Sequence, residues 1–492
     1  MNIVITYIGG GSTDWAHKYF SDILSQQQLN GELRLYDINY ESAMKNKKYF
    51  DRLMSDNKDI IKCQFECKVV RNIDEALKGA NFVLISILPY SLNNMKVDVH
   101  YPEKYGIYQS VGDTVGPGGY SRALRTIPAY IYFAEKIKEN CKDAWIINYT
   151  NPMAMCVNTL YKVFPEIKAF GCCHEVFGTQ KLLSKIVNMY MMLSPEGKIA
   201  FMKTDLKAVK AELSSKGKKF TKLRDFKGLD RHEIITNVQG INHFTWVNDA
   251  KYKDEDILPI YAAYIKLFRL NNINRLRWYV PSAIKLKRNI ESIKFELFEK
   301  YGVAAAAGDR HLAEFLPQFY LKKRNEKAKG LFLTPVWGRI MFNHFKKLKL
   351  NRSINRSKPL VIKRSGEEGI NQIAALCGLS DIITNVNIIN RGQSVDLPLG
   401  TAVESNAILK KDSISPVNVG KIKSEVLDLI KVHSENQKNF IDAYIRKDRE
   451  GLVKVFLNDP SVAKLKREDG IKLFNEMVEL NKNCLEDFVI AK

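Results

Sequence analysis

Cys173 and His174 are adjacent residues with reactive side chains, and they follow directly after an apolar stretch. Such a pair can form a redox site, a nucleophile with its base, or half of a metal site. Because neighbouring residues of a strand point to opposite faces, one ion is not expected to bind both side chains. A second metal ligand must then come from elsewhere, and His243 is the candidate. The alternative for His243, which lies in apolar sequence, is a hydrogen-bonded core residue.

One thiolate and one imidazole make a poor structural zinc site, since such sites use four protein ligands. They suit a catalytic metal whose other positions are filled by water and substrate oxygens. If Cys173 and His243 bind a metal, we therefore expect that metal to be catalytic.

Two further segments combine glycines or prolines with polar residues. The first, Gly112–Gly119, is followed by Arg122 and is either a surface loop or a substrate-binding turn in which Asp113 accepts hydroxyl hydrogen bonds. The second places Asn151 just after a predicted strand. Ligands of doubly wound sheets bind at the carboxyl ends of strands, so Asn151 is a candidate ligand-binding residue.

An acid, a cation and a base follow one another at Asp309, Arg310 and His311, near the start of a predicted helix. They could provide an acid/base group and a clamp for a carboxylate or phosphate. They could equally form a helix cap with a charged first turn. The sequence leaves both interpretations open.

The turn Gly9-Gly10-Gly11-Ser12 lies between a predicted strand and a predicted helix. Glycines allow the backbone to approach a pyrophosphate closely, and a helix N-terminus favours its negative charge. Asp37 ends the second predicted strand, where an acid can accept hydrogen bonds from ribose hydroxyls. Asp14 replaces the third glycine of the usual fingerprint. The pattern predicts dinucleotide binding, and the acid at residue 37 favours NAD over NADP.

The elements that position these residues alternate between strand and helix in the first part of the chain. Apolar runs at 3–8, 82–88 and 144–149 predict buried strands, and 122–139 predicts a long helix. This alternation predicts an α/β fold, with a Rossmann-like doubly wound parallel sheet in residues 1–172. The more helical remainder predicts a second, mainly helical α+β domain at 173–492.

The composition is that of a globular protein, with 492 residues, 45% of them hydrophobic and 26% charged. The net charge of +22 favours acidic ligands or simple solubility. Its basic clusters, at 285–288, 322–329 and 346–364, contain few aromatic residues, so we expect no nucleic-acid partner. Neither a membrane span nor a signal peptide is indicated. We therefore expect a cytoplasmic protein with reduced thiols.

Taken together, the segments resemble glycoside hydrolase family 4, the NAD- and metal-dependent glycosidases. The stretches similar to that family follow its order along the chain: 7–12, 112–125, 148–152, 171–176, 240–246, 308–315 and 390–404. The resemblance implies that NAD takes hydride from sugar C3 and that a divalent metal, usually manganese, holds the C2 and C3 oxygens. A base then removes the C2 proton, the aglycone leaves C1, water adds and hydride returns.

The resemblance also implies roles for single residues. Cys173 and His243 correspond to the metal ligands, and Asn151 and Asp113 to residues that hold the sugar. His174 would act on the leaving group.

The family's sugar-phosphate enzymes use a tyrosine base that is absent from the matching place here. Asp309 falls near that place, and Tyr301 lies a little upstream, so both are candidates for the C2 base.

The Cys-His-Glu-Val motif resembles the subgroup that acts on α-linked uronic acids, especially α-galacturonides. Arg122 or Arg310 could then bind the sugar carboxylate. The alternatives are an α-glucosidase or α-galactosidase of the same family, or a plain NAD-dependent sugar dehydrogenase. The family also implies a homodimer or homotetramer, and the Lys-rich segment 196–230 resembles an insertion.

Overall fold

The computed structural model describes residues 1–492 except 14, 222, 224, 225, 274–290, 317, 318, 320–334, 356, 357, 419 and 492. The predictions that concern Asp14 and the basic clusters at 285–288 and 322–329 lie outside the described residues. No helix among the described residues is long and apolar enough to cross a membrane.

The first half of the chain forms six parallel strands. They are β1 (Asn2–Ile8), β2 (Asn30–Tyr36), β3 (Phe65–Val70), β4 (Phe82–Ile85), β5 (Trp145–Asn148) and β6 (Lys168–Gly171). Their order in the sheet is β3-β2-β1-β4-β5-β6, so the strand order reverses between β1 and β4. Strands β4 and β5 are buried on both faces, which explains their continuous apolar sequence. The predicted Rossmann-like doubly wound sheet is confirmed.

Helices cover both faces of this sheet. They are α1 (Trp15–Ser25), α2 (Tyr40–Asp56), α3 (Ile73–Leu77), α4 (Leu92–His100), α5 (Gly116–Asn140) and α6 (Met153–Val163). On one face, Phe20 and Phe50 pack in one hydrophobic core, and on the other face Tyr130 and Leu160 pack in a second. The faces are therefore closed, and the edge formed by the carboxyl ends of the strands is where ligands of such sheets bind.

The rest of the chain extends the same sheet with antiparallel strands. They are β7 (Ile234–Ile241), β8 (Phe244–Tyr252), β9 (Glu255–Asp256), β10 (Ala304–Ala305), β11 (Ile382–Ile389), β12 (Ala402–Lys410) and β13 (Ser413–Pro416). The sheet continues from β6 in the order β11-β12-β7-β8-β10, with β13 beside β12 and β9 beside β8. One sheet of mixed direction thus passes through both parts of the chain, and the boundary at 172/173 stays a prediction.

Helices make up most of the second part. They are α7 (Glu175–Met191), α8 (Pro195–Met202), α9 (Leu206–Ser215), α10 (Leu258–Ile273), α11 (Ser292–Tyr301), α12 (Asp309–Phe315), α13 (Val336–Asn355), α14 (Gly369–Leu376), α15 (Ser424–Ile445), α16 (Arg449–Asn458), α17 (Arg467–Asn481) and α18 (Asp487–Ile490). The Lys-rich segment 196–230 includes nearly all of α8 and the whole of α9, which pack against α10. This agrees with the predicted helical α+β part.

Candidate active site

The turn after β1 is built tightly enough to require glycine. The Gly9 and Gly10 N–H groups both donate to the Tyr36 carbonyl, at 2.9 and 3.0 Å. Gly9 has φ +94°, and a Cβ there would lie 2.1 Å from the Ser86 carbonyl oxygen. The Gly11 N–H donates to Asp37 Oδ2 at 2.8 Å. The predicted cofactor-binding residues therefore lie together at the point where the strand order reverses.

Asp113 and Asn151 come together at the neighbouring strand ends. Asn151 follows β5, and its Nδ2 donates to Asp113 Oδ2 at 3.2 Å. Thr114 Oγ1 donates to the other Asp113 oxygen at 2.8 Å. The Oδ1 atom of Asn151 is buried and has no hydrogen-bond partner among the described residues. A buried amide oxygen without a partner is costly, so this acceptor is available for a ligand hydroxyl.

His243 reaches the same place from the turn between β7 and β8, where its φ is 64°. Its Nδ1 lies 2.8 Å from Thr114 Oγ1. Because the Thr114 hydroxyl donates its proton to Asp113, its oxygen accepts a hydrogen bond from Nδ1–H of His243. Burial and, to a smaller extent, the interaction with His311 lower the pKa of His243 to about 3, so the ring is neutral at pH 7. This tautomer leaves Nε2 with a free lone pair, as a metal ligand needs.

His311 on α12 stacks on His243, with ring centroids 3.7 Å apart and 25° between the ring planes. Asp113, His243 and His311 have ligand atoms that all lie within 4.8 Å of one another. Burial alone would raise the pKa of Asp113, but its electrostatic interactions with His311 and Arg122 hold the pKa well below its usual range. An ionised carboxylate beside two imidazoles is a donor set that fits a divalent transition metal.

Glu175, at the start of α7, connects this group to the Cys173 segment. Its Oε1 lies 3.4 Å from His311 Nε2, and its Oε2 accepts from the Gly308 N–H at 2.7 Å. Burial raises the pKa of Glu175, but its interaction with His311 and the hydrogen bond from the Gly308 N–H are among the effects that outweigh burial and lower the pKa. Glu175 is therefore a second ionised carboxylate beside the imidazoles.

Cys173 follows β6 and is buried beside the Asn242 side chain, which precedes His243 in the β7–β8 turn. Burial raises the pKa of the thiol well above its usual value, and the charge of Glu404 raises it further. The group of three with close ligand atoms does not include Cys173. His174 is exposed, and its ring lies 6.1 Å from that of Trp15.

Asp309 is the first residue of α12, and its side chain lies against the N-terminus of α11. Its carboxylate accepts hydrogen bonds from the Ile293 and Lys294 N–H groups, at 3.1 and 3.0 Å, and from the Ser292 hydroxyl at 3.3 Å. Burial raises the pKa of Asp309 to about 6, and the charge of Glu291 adds to this effect. Both oxygens are thus engaged by the N-terminus of α11, whereas the sequence allowed a cap on the helix that Asp309 itself begins; there Gly308 is the N-cap residue and provides no side-chain hydrogen bond.

Tyr301 lies at the other end of α11 and packs against Trp246, with ring centroids 6.0 Å apart. The described contacts of Asp309 and Tyr301 do not include Asp113 or His243. The structure therefore does not bring the two candidate bases into the Asp113–His243–His311 group.

Arg122 and Arg310 lie near this group, and neither forms an ion pair with a carboxylate in the part of the chain that the structure describes. Arg122 is 8% exposed on α5, and its Nε has no hydrogen-bond partner among the described residues. Arg310 donates to the Ser110 carbonyl at 2.7 Å, and its Nε is likewise unpartnered. By contrast, Arg125 lies 2.6 Å from an oxygen of Asp98. Arginines that are largely shielded from water and keep free N–H donors are suited to an anionic ligand.

Sequence analysis assigned no role to two residues of this site, Thr114 and Glu175, whereas it named His311 as the base of a possible acid/base group. Thr114 and Glu175 are each next to a residue that it did single out. The signal was therefore proximity to Asp113 and His174, but the contacts themselves join distant parts of the chain.

A doubly wound sheet with a glycine turn at its switch point, and buried imidazoles and carboxylates at the same edge, defines a Rossmann-type enzyme with a polar catalytic centre. Residues 4–189 match the model for family 4 glycosyl hydrolases, and residues 238–462 match the model for their C-terminal domain. The chain belongs to this family, which confirms the resemblance seen in the sequence.

Similar proteins include an α-galacturonidase from Thermoanaerobacter italicus, 46% identical over 98% of this chain and 97% of that protein. A crystal structure described as a glucosidase from Bacillus subtilis is 38% identical with a TM-score of 0.80, covering 97% of this chain and 100% of that one. A 6-phospho-α-glucosidase from gut microorganisms, in complex with NAD and Mn²⁺, is 16% identical with a TM-score of 0.74, covering 99% of each chain. The last shows the shared fold.

Proposed function

We propose that the protein hydrolyses α-galacturonides and that it uses NAD and a divalent metal, with Mn²⁺ the expected ion. The observation that carries the substrate is the 46% identity to an α-galacturonidase over nearly the full length of both chains. The unpartnered Nε atoms of Arg122 and Arg310 support it, because a uronate differs from a neutral hexose by one carboxylate. The substrate is thus a small anionic α-glycoside.

Two local features support the cofactors. Gly9, Gly10 and Gly11 have no room for a Cβ, and Asp37 lies beside them, which fits a dinucleotide with its pyrophosphate at the turn. For the metal, the neutral Nε2 of His243 and the ionised Asp113 fit a divalent ion. Cys173 and His243 are the proposed ligands from the family pattern, and Asp113 and His311 lie within reach of the same ion.

When bound, NAD and the metal would supply hydride transfer at sugar C3 and stabilisation of negative charge on the C2 and C3 oxygens. Asn151 would donate and accept hydrogen bonds with a sugar hydroxyl, since its Oδ1 is unpartnered. Asp113 would orient the same hydroxyl through its carboxylate. His174, exposed at the start of α7, would donate a proton to the leaving oxygen at C1.

For the base that removes the C2 proton, Asp309 and Tyr301 remain the proposed residues. A pKa raised to about 6 suits Asp309 for this task. To act, its carboxylate would have to exchange the Ser292 hydroxyl for the substrate, because both oxygens accept hydrogen bonds at α11. Tyr301 would have to leave its packing against Trp246.

We also propose a cytoplasmic location and a homodimer or homotetramer. Among the described residues all eight cysteines are free, and seven of them are buried, which supports a reducing compartment. A high positive charge on a glycosidase with an acidic substrate needs no nucleic-acid partner.

Hydrolysis of aryl α-galacturonide tests the proposal, with NAD, Mn²⁺ and a thiol reductant withheld one at a time. We expect cleavage only when all three are present, and no net NADH, because hydride returns to the sugar. Aryl α-galactoside and aryl α-glucoside serve as neutral comparison substrates. Cleavage of only a neutral glycoside would reject the uronate proposal, and steady NADH release without hydrolysis would identify a dehydrogenase instead.

A further inference from the structure

Helix α13 brings a third arginine to the substrate side of the site. The helix begins against α4, where the Val336 N–H donates to His100 Nε2 at 3.0 Å. One turn later, the guanidinium of Arg339 donates to Met95 Sδ at 3.9 Å. A thioether is a weak acceptor, so this contact leaves most of the hydrogen-bonding capacity of Arg339 unused.

The position of Met95 places Arg339 close to Asp113. Met95 packs with Val99, one turn further along α4, in a cluster that also includes Val336. Val99 in turn packs against Gly112, where a Cβ would lie 3.0 Å from Val99 Cγ2. The side chains of Met95 and Val99 therefore connect the guanidinium to the loop that carries Asp113.

The electrostatic neighbours of Arg339 lead to the same place. Burial lowers the pKa of Arg339 below its usual value, and the charge of Arg310 lowers it further. The charges of Asp113 and Glu314 act in the opposite direction. Arg310 and Asp113 are proposed substrate-binding residues, so the guanidinium of Arg339 lies near the proposed substrate site as well as against α4.

The two carboxylates near Arg339 are engaged elsewhere. Glu314 accepts hydrogen bonds from the Val111 and Gly112 N–H groups, and Asp113 accepts from Thr114 and Asn151. Among the described residues, neither carboxylate forms an ion pair with an arginine, and Arg122, Arg310 and Arg339 form none at all. Three guanidinium groups that are partly shielded from water and form no ion pair among the described residues keep N–H donors available for the oxygens of an anionic ligand.

We propose that Arg339 determines specificity for the substrate carboxylate by completing, with Arg122 and Arg310, a pocket for the C6 carboxylate of the uronate. The inference rests on the proposed function and adds to it a role for α13 in selecting the substrate. A planar guanidinium can bind both oxygens of a carboxylate. Arg339 on α13 therefore strengthens the binding of a uronate but not the binding of a neutral hexose.

The test compares three substrates that differ only at C6: aryl α-galacturonide, its C6 amide and aryl α-galactoside. For Arg339→Gln we expect kcat/KM on the galacturonide to fall about 10- to 100-fold, mainly through KM, with the amide and the galactoside changed less than about threefold. Arg339→Lys keeps the charge but loses the planar fork, so it should fall between the wild type and the glutamine variant.

Arg352→Gln is the matched control, because Arg352 is exposed near the end of the same helix. It should leave all three substrates unchanged. Inhibition by free galacturonate and by galactose provides a second measurement, in which only the galacturonate constant should weaken in Arg339→Gln.

The outcomes separate this inference from the proposed function. A wild type that does not cleave the galacturonide overturns the function itself. A wild type that does, with an unchanged galacturonide-to-galactoside ratio in Arg339→Gln, overturns only the role of Arg339. An equal loss on all three substrates would likewise reject carboxylate recognition, because it indicates that Arg339 merely holds α13 in place.

Discussion

The Thr114 hydroxyl group orients two neighbouring side chains, the carboxylate of Asp113 and the imidazole of His243. Its proton goes to Asp113 and its oxygen accepts from His243, so it fixes the tautomer and the orientation of the imidazole. Residues that orient a metal-binding histidine in this way commonly affect metal affinity by about 10- to 100-fold when they are removed. The Asp113–Thr114–His243 chain is thus a support for the proposed metal site.

Thr114→Val should weaken Mn²⁺ binding by about tenfold or more, because the ring of His243 loses the acceptor that holds Nδ1–H. The measurement is a Mn²⁺ titration followed by electron paramagnetic resonance, with NAD affinity measured in parallel. Thr159→Val is the control, since Thr159 is equally buried but donates only to the Met155 carbonyl within α6. Equal Mn²⁺ affinity in both variants would reject the orienting role.

At the scale of an element, the β1–α1 turn has a conformation that only glycine satisfies. Gly9 combines a positive φ with a carbonyl oxygen where its Cβ would be, so a substitution meets both strain and a clash. Gly79 has a similar positive φ of 67° but open space around it. Comparing substitutions at Gly9 and Gly79 therefore separates the effect of backbone strain from the effect of a steric clash with a neighbouring carbonyl.

Gly9→Ala should weaken NAD binding by at least about tenfold, because the turn must open to admit the methyl group and the N–H groups lose their alignment. Gly79→Ala should cost only the strain of a left-handed alanine, about 1 kcal/mol, and leave NAD affinity intact. Fluorescence titration with NAD and the melting temperature of both variants provide the measurements. Undiminished NAD affinity in Gly9→Ala would contradict the proposed binding place.

At the scale of the whole molecule, the two parts of the chain share their hydrophobic cores. Phe20 and Phe50 of the first part pack in one cluster with Ile373 and Val386 of the second. A further cluster joins Tyr120 on α5 to helices α15 to α17. A core that draws on both parts couples their stability, because neither part can unfold without exposing apolar surface of the other.

Heating the protein should therefore give one calorimetric transition, and a fragment of residues 1–172 should be insoluble or unfolded, since it exposes β6 and the apolar side chains that the second part covers. The same scan with NAD added should move the whole transition upwards. Two separate transitions, or a stable and soluble fragment, would show instead that the parts fold independently.

The amino-acid sequence by itself determined the features that depend on neighbouring residues. Alternating strands and helices, the glycine turn and Asp37 follow from local periodicity and backbone sterics, and the structure confirms the doubly wound sheet that they predict. The family was also recognisable, because its polar segments occur in order along the chain and the family models match most of it.

Only the tertiary structure decided which of the polar segments meet. His311 stacks on His243 across a large sequence separation, and Asp309, two residues before His311, instead caps α11. Arg339 reaches the substrate side because α13 packs on α4. These contacts depend on how helices pack and on which way each side chain leaves its backbone. Neither property is encoded in the spacing of residues along the chain, so the sequence predicted the parts of the site but not their assembly.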